Sequence, residues 1–169
     1  LSSAQIKALG TDSIQALTTT QVLALTSTQV AGLTTTQMAA LSSDQITVLI
    51  PSMSTAQIIK LTSDQITALS TDQIVALSTA QVRALSTAAI AALSSDQIAA
   101  FETRDLNALT SAQMRVLTSD ELLALTTGQM LALSTAQIAS LSSLQSPVLS
   151  TDQIVALTTA QVRALSTAA

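Results

Sequence analysis

Hydroxyl groups are the commonest reactive side chains in this 169-residue chain, and they stand in adjacent pairs every eight residues, as in Ser70-Thr71, Ser78-Thr79 and Ser86-Thr87. A serine or threonine becomes a nucleophile only when a neighbouring base takes its proton. The chain has no His and no Cys, and its only lysines, Lys7 and Lys60, occupy ordinary places in the pattern. No glycine-rich phosphate loop is present. The hydroxyls therefore read as helix caps and solvated corners, no catalytic residue is assigned, and an enzyme is not expected. Carboxylates offer a second chemistry, through Asp64 and Asp72 or through the group Asp105, Asp120 and Glu121. Calcium asks for about six to eight oxygens from a dedicated loop. Nothing here resembles that loop, so neither a metal site nor a cofactor is expected.

One hydroxyl position is stricter than the rest. Numbering each eight-residue unit from its leucine, position three is Ser or Thr in all 21 instances, whereas position two also admits Gly10 and Glu102. Thr55, Ser63, Thr71, Thr79, Thr87, Ser95, Thr103 and Ser111 are the central members of that set. Two readings suit them. Each hydroxyl could bond a free carbonyl or a hydroxyl of an adjacent coil, making a ladder. Alternatively, the regular row of methyl and hydroxyl groups could be a recognition surface for ice or a glycan.

The unit that positions these hydroxyls is Leu, two hydroxyl residues, a variable residue, Gln, an apolar residue, a variable residue and Ala, as in Leu69–Ala76. Six octads fill residues 1–48, a half-length insert fills 49–52, and a second run of octads fills 53–169. Such self-similarity is the mark of a solenoid, in which neighbouring units bury a core that none could bury alone. A continuous α-helix fails the pattern. Eight residues at about 100° each carry every leucine roughly 80° beyond the last, so no apolar stripe forms. A β-solenoid fares worse, because tight corners favour glycine and only Gly10, Gly32 and Gly128 are present.

A helix start in every octad satisfies the pattern. With Ser70 as N-cap, its hydroxyl accepts from the Gln73 backbone N–H while the Gln73 side chain reaches back to the Ser70 N–H, the reciprocal capping box. Leu69 and Ile74 then form the hydrophobic staple on either side of the cap. Position four, the second helical residue, holds Asp44, Asp64, Asp72, Asp96, Asp120 and Asp152, where a carboxylate complements the helix dipole. A new start every eight residues leaves about six for each helix, roughly 9 Å. The expected fold is an all-α solenoid, a superhelix of very short helices, one per eight-residue repeat. Leu and the position-six residue face its axis, and the Ser, Thr, Asp and Gln corners lie outside.

Departures from the consensus mark places to watch. Position five is Gln in 16 of 20 full octads, with Ser13, Ala89, Asp105 and Glu121 as exceptions, and of these Glu121 can still close a capping box. Pro51 predicts a turn in the insert, making residues 49–52 a candidate kink or boundary. Ser146, Pro147 and Leu144 share one octad, which should be distorted. Position seven, which holds Lys7, Leu23, Ile59, Arg83, Asn107 and Leu131 among others, is the freest and should be an exposed or groove-facing site.

The segment Leu61-Thr62-Ser63-Asp64-Gln65-Ile66-Thr67-Ala68-Leu69 resembles the first helix of transcription-activator-like effector repeats. That family's second helix, base-reading loop and longer period are absent, so its DNA binding does not carry over. With a net charge of −4, nucleic acid is not an expected partner. The whole chain resembles the Ser/Thr/Gln/Ala-rich octapeptide arrays of large secreted or surface proteins of Gram-negative bacteria. That resemblance implies an extracellular or cell-surface setting; the uniform array and the absence of chemistry point to a spacer or stalk, adhesin-like in role, and the Leu and Ile faces of a solenoid cut at both ends to self-association or to contact with neighbouring repeats of a longer chain. Leu69–Ala89 and Leu149–Ala169 differ only at Ser78 and Thr158, as expected of block duplication in a longer array. Mean hydropathy is positive, but polar residues interrupt every octad, so no membrane span is expected.

Overall fold

The computed structural model describes residues 1–166, which form nineteen short α-helices and two 3-10 helices with no strand. The chain is an all-α repeat solenoid. The octad Leu69–Ala76 shows how the local rule works: Ser70 caps the helix Thr71–Val75 from an extended backbone, φ −71° and ψ 162°. Its hydroxyl accepts from the Gln73 N–H at 3.3 Å, and its own N–H donates to Gln73 Oε1 at 2.7 Å. After Ala76 the Leu77 N–H bonds the Ile74 carbonyl at 3.2 Å, and Ser78 opens the next helix. Each bend is therefore made at an extended cap residue. No described residue has positive φ, and an extended cap is open to any side chain, so the corners need no glycine.

Repeated bends wind the helices into coils. Thr79–Ala84 packs against Thr103–Ala108, and Ser95–Ala99 against Ser119–Ala124, so each helix meets the one three octads further on. Burial follows octad position. The position-six residues from Ile6 to Ile138 are at most 1% exposed, and the position-one residues from Leu33 to Leu141 are buried too. At about 2–3 kcal/mol for each fully buried aliphatic side chain, these two positions are the main apolar contribution of each octad. Among the described residues no helix is long and apolar enough to cross a membrane.

The insert takes an unexpected place in this winding. The helix Ser43–Leu49 leads directly into the 3-10 helix Ile50–Ser52, and Leu49, Ile50 and Met53 all join the core. Ile50 occupies a position-six site and Met53 the following position-one site. Residues 49–52 are thus an octad that has lost positions two to five and still fills one place in the coil. The octad Leu141–Val148 contains no α-helix, only a turn and the 3-10 helix Ser146–Val148, and Leu144 is 81% exposed.

Candidate functional site: the glutamine bracket

Position five carries the longest polar side chain of the octad, and in the structure that side chain has two tasks. Gln97 Oε1 accepts from the Ser94 N–H at 2.8 Å, closing the capping box of its own helix. Its Nε2 donates to the carbonyls of Ile66, Thr67 and Leu69 at 3.2, 3.3 and 2.7 Å. Those carbonyls lie at the end of the helix Ser63–Thr67, four octads earlier. The first task satisfies an orphan donor at a helix start, and the second satisfies orphan acceptors at a helix end. One amide thus brackets two helices in successive coils.

The bracket recurs with fixed spacing. Gln37 reaches the carbonyls of Ile6 and Leu9, Gln45 those of Ile14 and Leu17, and Gln113 those of Val82 and Leu85. Gln137 and Gln153 repeat the geometry further along. Across the insert the spacing contracts by four residues, with Gln57 donating to the Val30 carbonyl and Gln65 to the carbonyls of Met38 and Leu41. Gln81 then bonds Ile50 and Met53 as if they belonged to a full octad. The shortened octad therefore keeps the count of four. Placing the glutamines at outer corners was incorrect: once a coil precedes them they are mostly buried, because their amides point into the seam between coils.

Beyond the first three octads, four full octads lack the second half of the bracket, each for a definable reason. Gln73 closes its capping box, but the helix four octads earlier runs on to Leu49 and its Ile46 carbonyl already accepts from the Ile50 N–H. Ala89 has no side chain to extend. Asp105, fully buried, accepts from Thr79 Oγ1 at 2.6 Å, and its Oδ2 has no hydrogen bond. Arg104 Nε lies 3.8 Å from that oxygen and 2.7 Å from Glu102.

Glu121 closes its capping box, accepting from the Thr118 N–H at 2.6 Å, yet an ionised carboxylate has no proton to donate backwards. Burial pushes its carboxyl above the ordinary value of 4.5, opposed by hydrogen bonds from the backbone and side chain of Thr118 and helped by the charge of Asp120. Because the folded state holds this proton more tightly, its stabilising contribution is complete below the ordinary carboxylate range and is lost as pH rises through the raised value. Glu121→Gln should remove that loss and supply the missing donor. The variant is expected to gain about 1–2 kcal/mol at pH 7 and to converge with the parent in acid, as measured by denaturant unfolding over a pH series.

The position-three hydroxyls behave differently from the expected ladder. Thr55, Ser63, Thr71, Thr87, Ser95, Thr103 and Ser111 are exposed or half-buried, and of the eight central residues only Thr79 makes a side-chain hydrogen bond, to Asp105. Most of the cross-coil bonds expected of position three are made by glutamine instead, Thr79 and Ser3, which donates to the Thr28 carbonyl at 3.2 Å, being exceptions. Nor do the eight form one row. Since helices align every three octads, Thr55, Thr79 and Thr103 share one column, Ser63, Thr87 and Ser111 a second, and Thr71 and Ser95 a third. Ser70→Ala should accordingly cost about 1 kcal/mol through loss of the cap, while Thr71→Ala should change the denaturant midpoint little. Position seven is mostly exposed, as at Leu23, Ile59, Leu123 and Leu131. There Arg115 Nε donates across coils to the Ser140 carbonyl at 3.3 Å.

The family model of the ALTTAQ repeat matches residues 1–27, 50–79, 74–103, 98–135 and 127–159. The chain belongs to the ALTTAQ repeat family. Successive matches begin at residues 50, 74 and 98, a step of three octads, the same step at which helices pack between coils. The segment Ala156–Gln161 reads ALTTAQ letter for letter. In it Leu157 enters the core, Thr158 caps, and Gln161 closes the box at 2.8 Å while donating to the carbonyls of Met130, Leu131 and Leu133. The ALTTAQ motif is thus the bracket with its apolar anchor and its cap. No curated protein matches the chain significantly.

Proposed function

We propose that this ALTTAQ array is a stiff structural spacer or interaction scaffold, the stalk of a long, adhesin-like bacterial protein outside the cell. The observation that carries the reading is the bracket. Hydrogen bonds donated by buried glutamine amides to backbone carbonyls tie successive coils together along the chain, as a load-transmitting rod requires. The resemblance to octapeptide arrays of large secreted proteins supports the bacterial and extracellular setting. Solution scattering on chains of different octad number tests the rod: the maximum dimension should grow in proportion to the number of coils. A dimension that stays compact as octads are added would overturn it.

The exposed, unpaired hydroxyls favour a second reading, a recognition surface for ice or glycan. Thermal hysteresis and retention on a crystalline polysaccharide are its assays. Clear activity, lost when Ser63, Thr87 and Ser111 are replaced together by alanine, would displace the pure spacer.

A further inference from the structure

Hydrogen bonds between coils are not spread evenly along the stack. Beyond the first coil, and counting each octad from its cap residue, two stretches among the described residues make none: 70–76 and 86–92, whose bonds all stay local. Gln97 reaches the Leu69 carbonyl, but that bond closes the end of the preceding helix Ser63–Thr67. Between the two stretches the ties are dense. Gln81 bonds the Ile50 and Met53 carbonyls, Thr79 bonds Asp105, and the Val82 and Leu85 carbonyls accept from Gln113. The coil of residues 69–92 is therefore pinned at its middle octad and untied at the other two.

The pattern comes from the neighbours of this coil on both sides. Toward the start of the chain, Gln73 finds the Ile46 carbonyl already bonded to the Ile50 N–H, and Ala89 has no amide. Toward the end, the bracket joins position five to carbonyls 31 and 28 residues earlier. That register pairs Ile74 and Leu77 with Asp105, and Ile90 and Leu93 with Glu121, and an ionised carboxylate donates nothing. Local sequence is not the cause. The octad Leu149–Ala156 repeats Leu69–Ala76 residue for residue, and there Gln153 bonds the Leu122 and Leu125 carbonyls. The next coil, residues 93–116, is held on one side by Gln97 and Gln113 and on the other by Gln129, Gln137 and Gln145.

The apolar core runs through this coil without a break, for Leu69, Ile74, Leu77, Val82, Ile90 and Leu93 are all buried. Apolar contact has no preferred direction, whereas a hydrogen bond fixes distance and angle. Thr71–Val75 and Thr87–Ala91 also meet the neighbouring coils less extensively than Thr79–Ala84 does. We propose that the coil of residues 69–92 is a hinge in the rod, opening at 70–76 and 86–92 and pivoting on 77–85. The proposal rests on the scaffold reading and locates where the scaffold yields. Such local opening is drawn from the least-tied part of a fold.

Amide hydrogen exchange of the 1–169 chain at pH 7 tests the opening. Residues 70–76 and 86–92 are expected to exchange at least about tenfold faster than the matched residues of 94–100 and 110–116. Asp105→Gln supplies a donor to Ile74 and Leu77 and should slow the first stretch alone, while Glu121→Gln supplies one to Ile90 and Leu93 and should slow the second alone. Should Asp105→Gln fail to fold, the isosteric Glu121→Gln carries the comparison.

Spin-label distances test the bend, since the chain has no cysteine of its own. Ile59, Asn107 and Val155 are exposed position-seven residues of one column. Labels at Ile59→Cys and Asn107→Cys span the hinge; labels at Asn107→Cys and Val155→Cys span an equal length of chain without it. The first pair should give a distance distribution about twice as wide as the second, narrowing when Glu121→Gln is added. Uniform exchange from residue 70 to 116, a Glu121→Gln protein that exchanges as the parent does, or equal widths for the two pairs would each overturn the hinge. The growth of maximum dimension with octad number is measured separately, so failure of the rod is distinguishable from failure of the hinge.

Discussion

Replacing Gln97 by alanine should lower the unfolding free energy by about 2–4 kcal/mol, a large effect for a residue that is neither apolar nor charged. The side chain is buried and joins the Ser94 N–H to the carbonyls of Ile66, Thr67 and Leu69. Truncation removes those bonds and leaves their partners without compensation. An ordinary hydrogen bond contributes about 1 kcal/mol net, while a buried group left unpaired costs about 1–3 kcal/mol. A capping-box glutamine with no second role, such as exposed Gln5, should lose only about 1 kcal/mol on the same change. Denaturant midpoints of Gln97→Ala and Gln5→Ala measure the contrast.

Ile66→Ala is expected to cost about 2–5 kcal/mol, by loss of burial and by the cavity left behind. The same substitution at Ile59, one octad earlier in the chain and 49% exposed, should cost well under about 1 kcal/mol. Both residues are isoleucines on short helices or at their ends. They differ in octad position: Ile66 at position six is fully buried, and Ile59 at position seven faces water. Paired chemical unfolding of the two variants checks whether octad position sets the cost. Near-equal losses would contradict the placement of the core.

Much of this architecture is written locally and could be read from a single octad. Ser70, Gln73, Leu69 and Ile74 announce a helix start, and the structure builds one there, with Leu69 and Ile74 buried. What depends on the number of octads per coil was not legible. That is why the position-three residues looked like one row and are three columns, and why residues 49–52 looked like an interruption and are a shortened octad.

The second task of glutamine left a trace that could have been followed. A capping box accepts Glu as readily as Gln, and the helix dipole favours the carboxylate at the first turn. Yet position five holds 16 glutamines and one glutamate in 20 octads. Such a bias calls for a donor, and the donor bonds the coil beneath. The strictness of Ser and Thr at position three has no comparable account in their hydrogen bonding.

The most direct test of the bracket is the stability of Gln97→Glu across pH. Glutamate keeps the acceptor that closes the box with Ser94 and loses the donor that ties the coil to Ile66 and Leu69. The variant should lose about 2 kcal/mol at pH 7. In this burial its carboxyl is expected to titrate above the ordinary carboxylate range, as that of Glu121 does. The deficit should therefore shrink as pH falls through that raised value, because the protonated acid can donate again. A Gln97→Glu protein as stable as the parent at pH 7, with the same pH dependence, would show that glutamine serves only its own helix and would contradict the bracket.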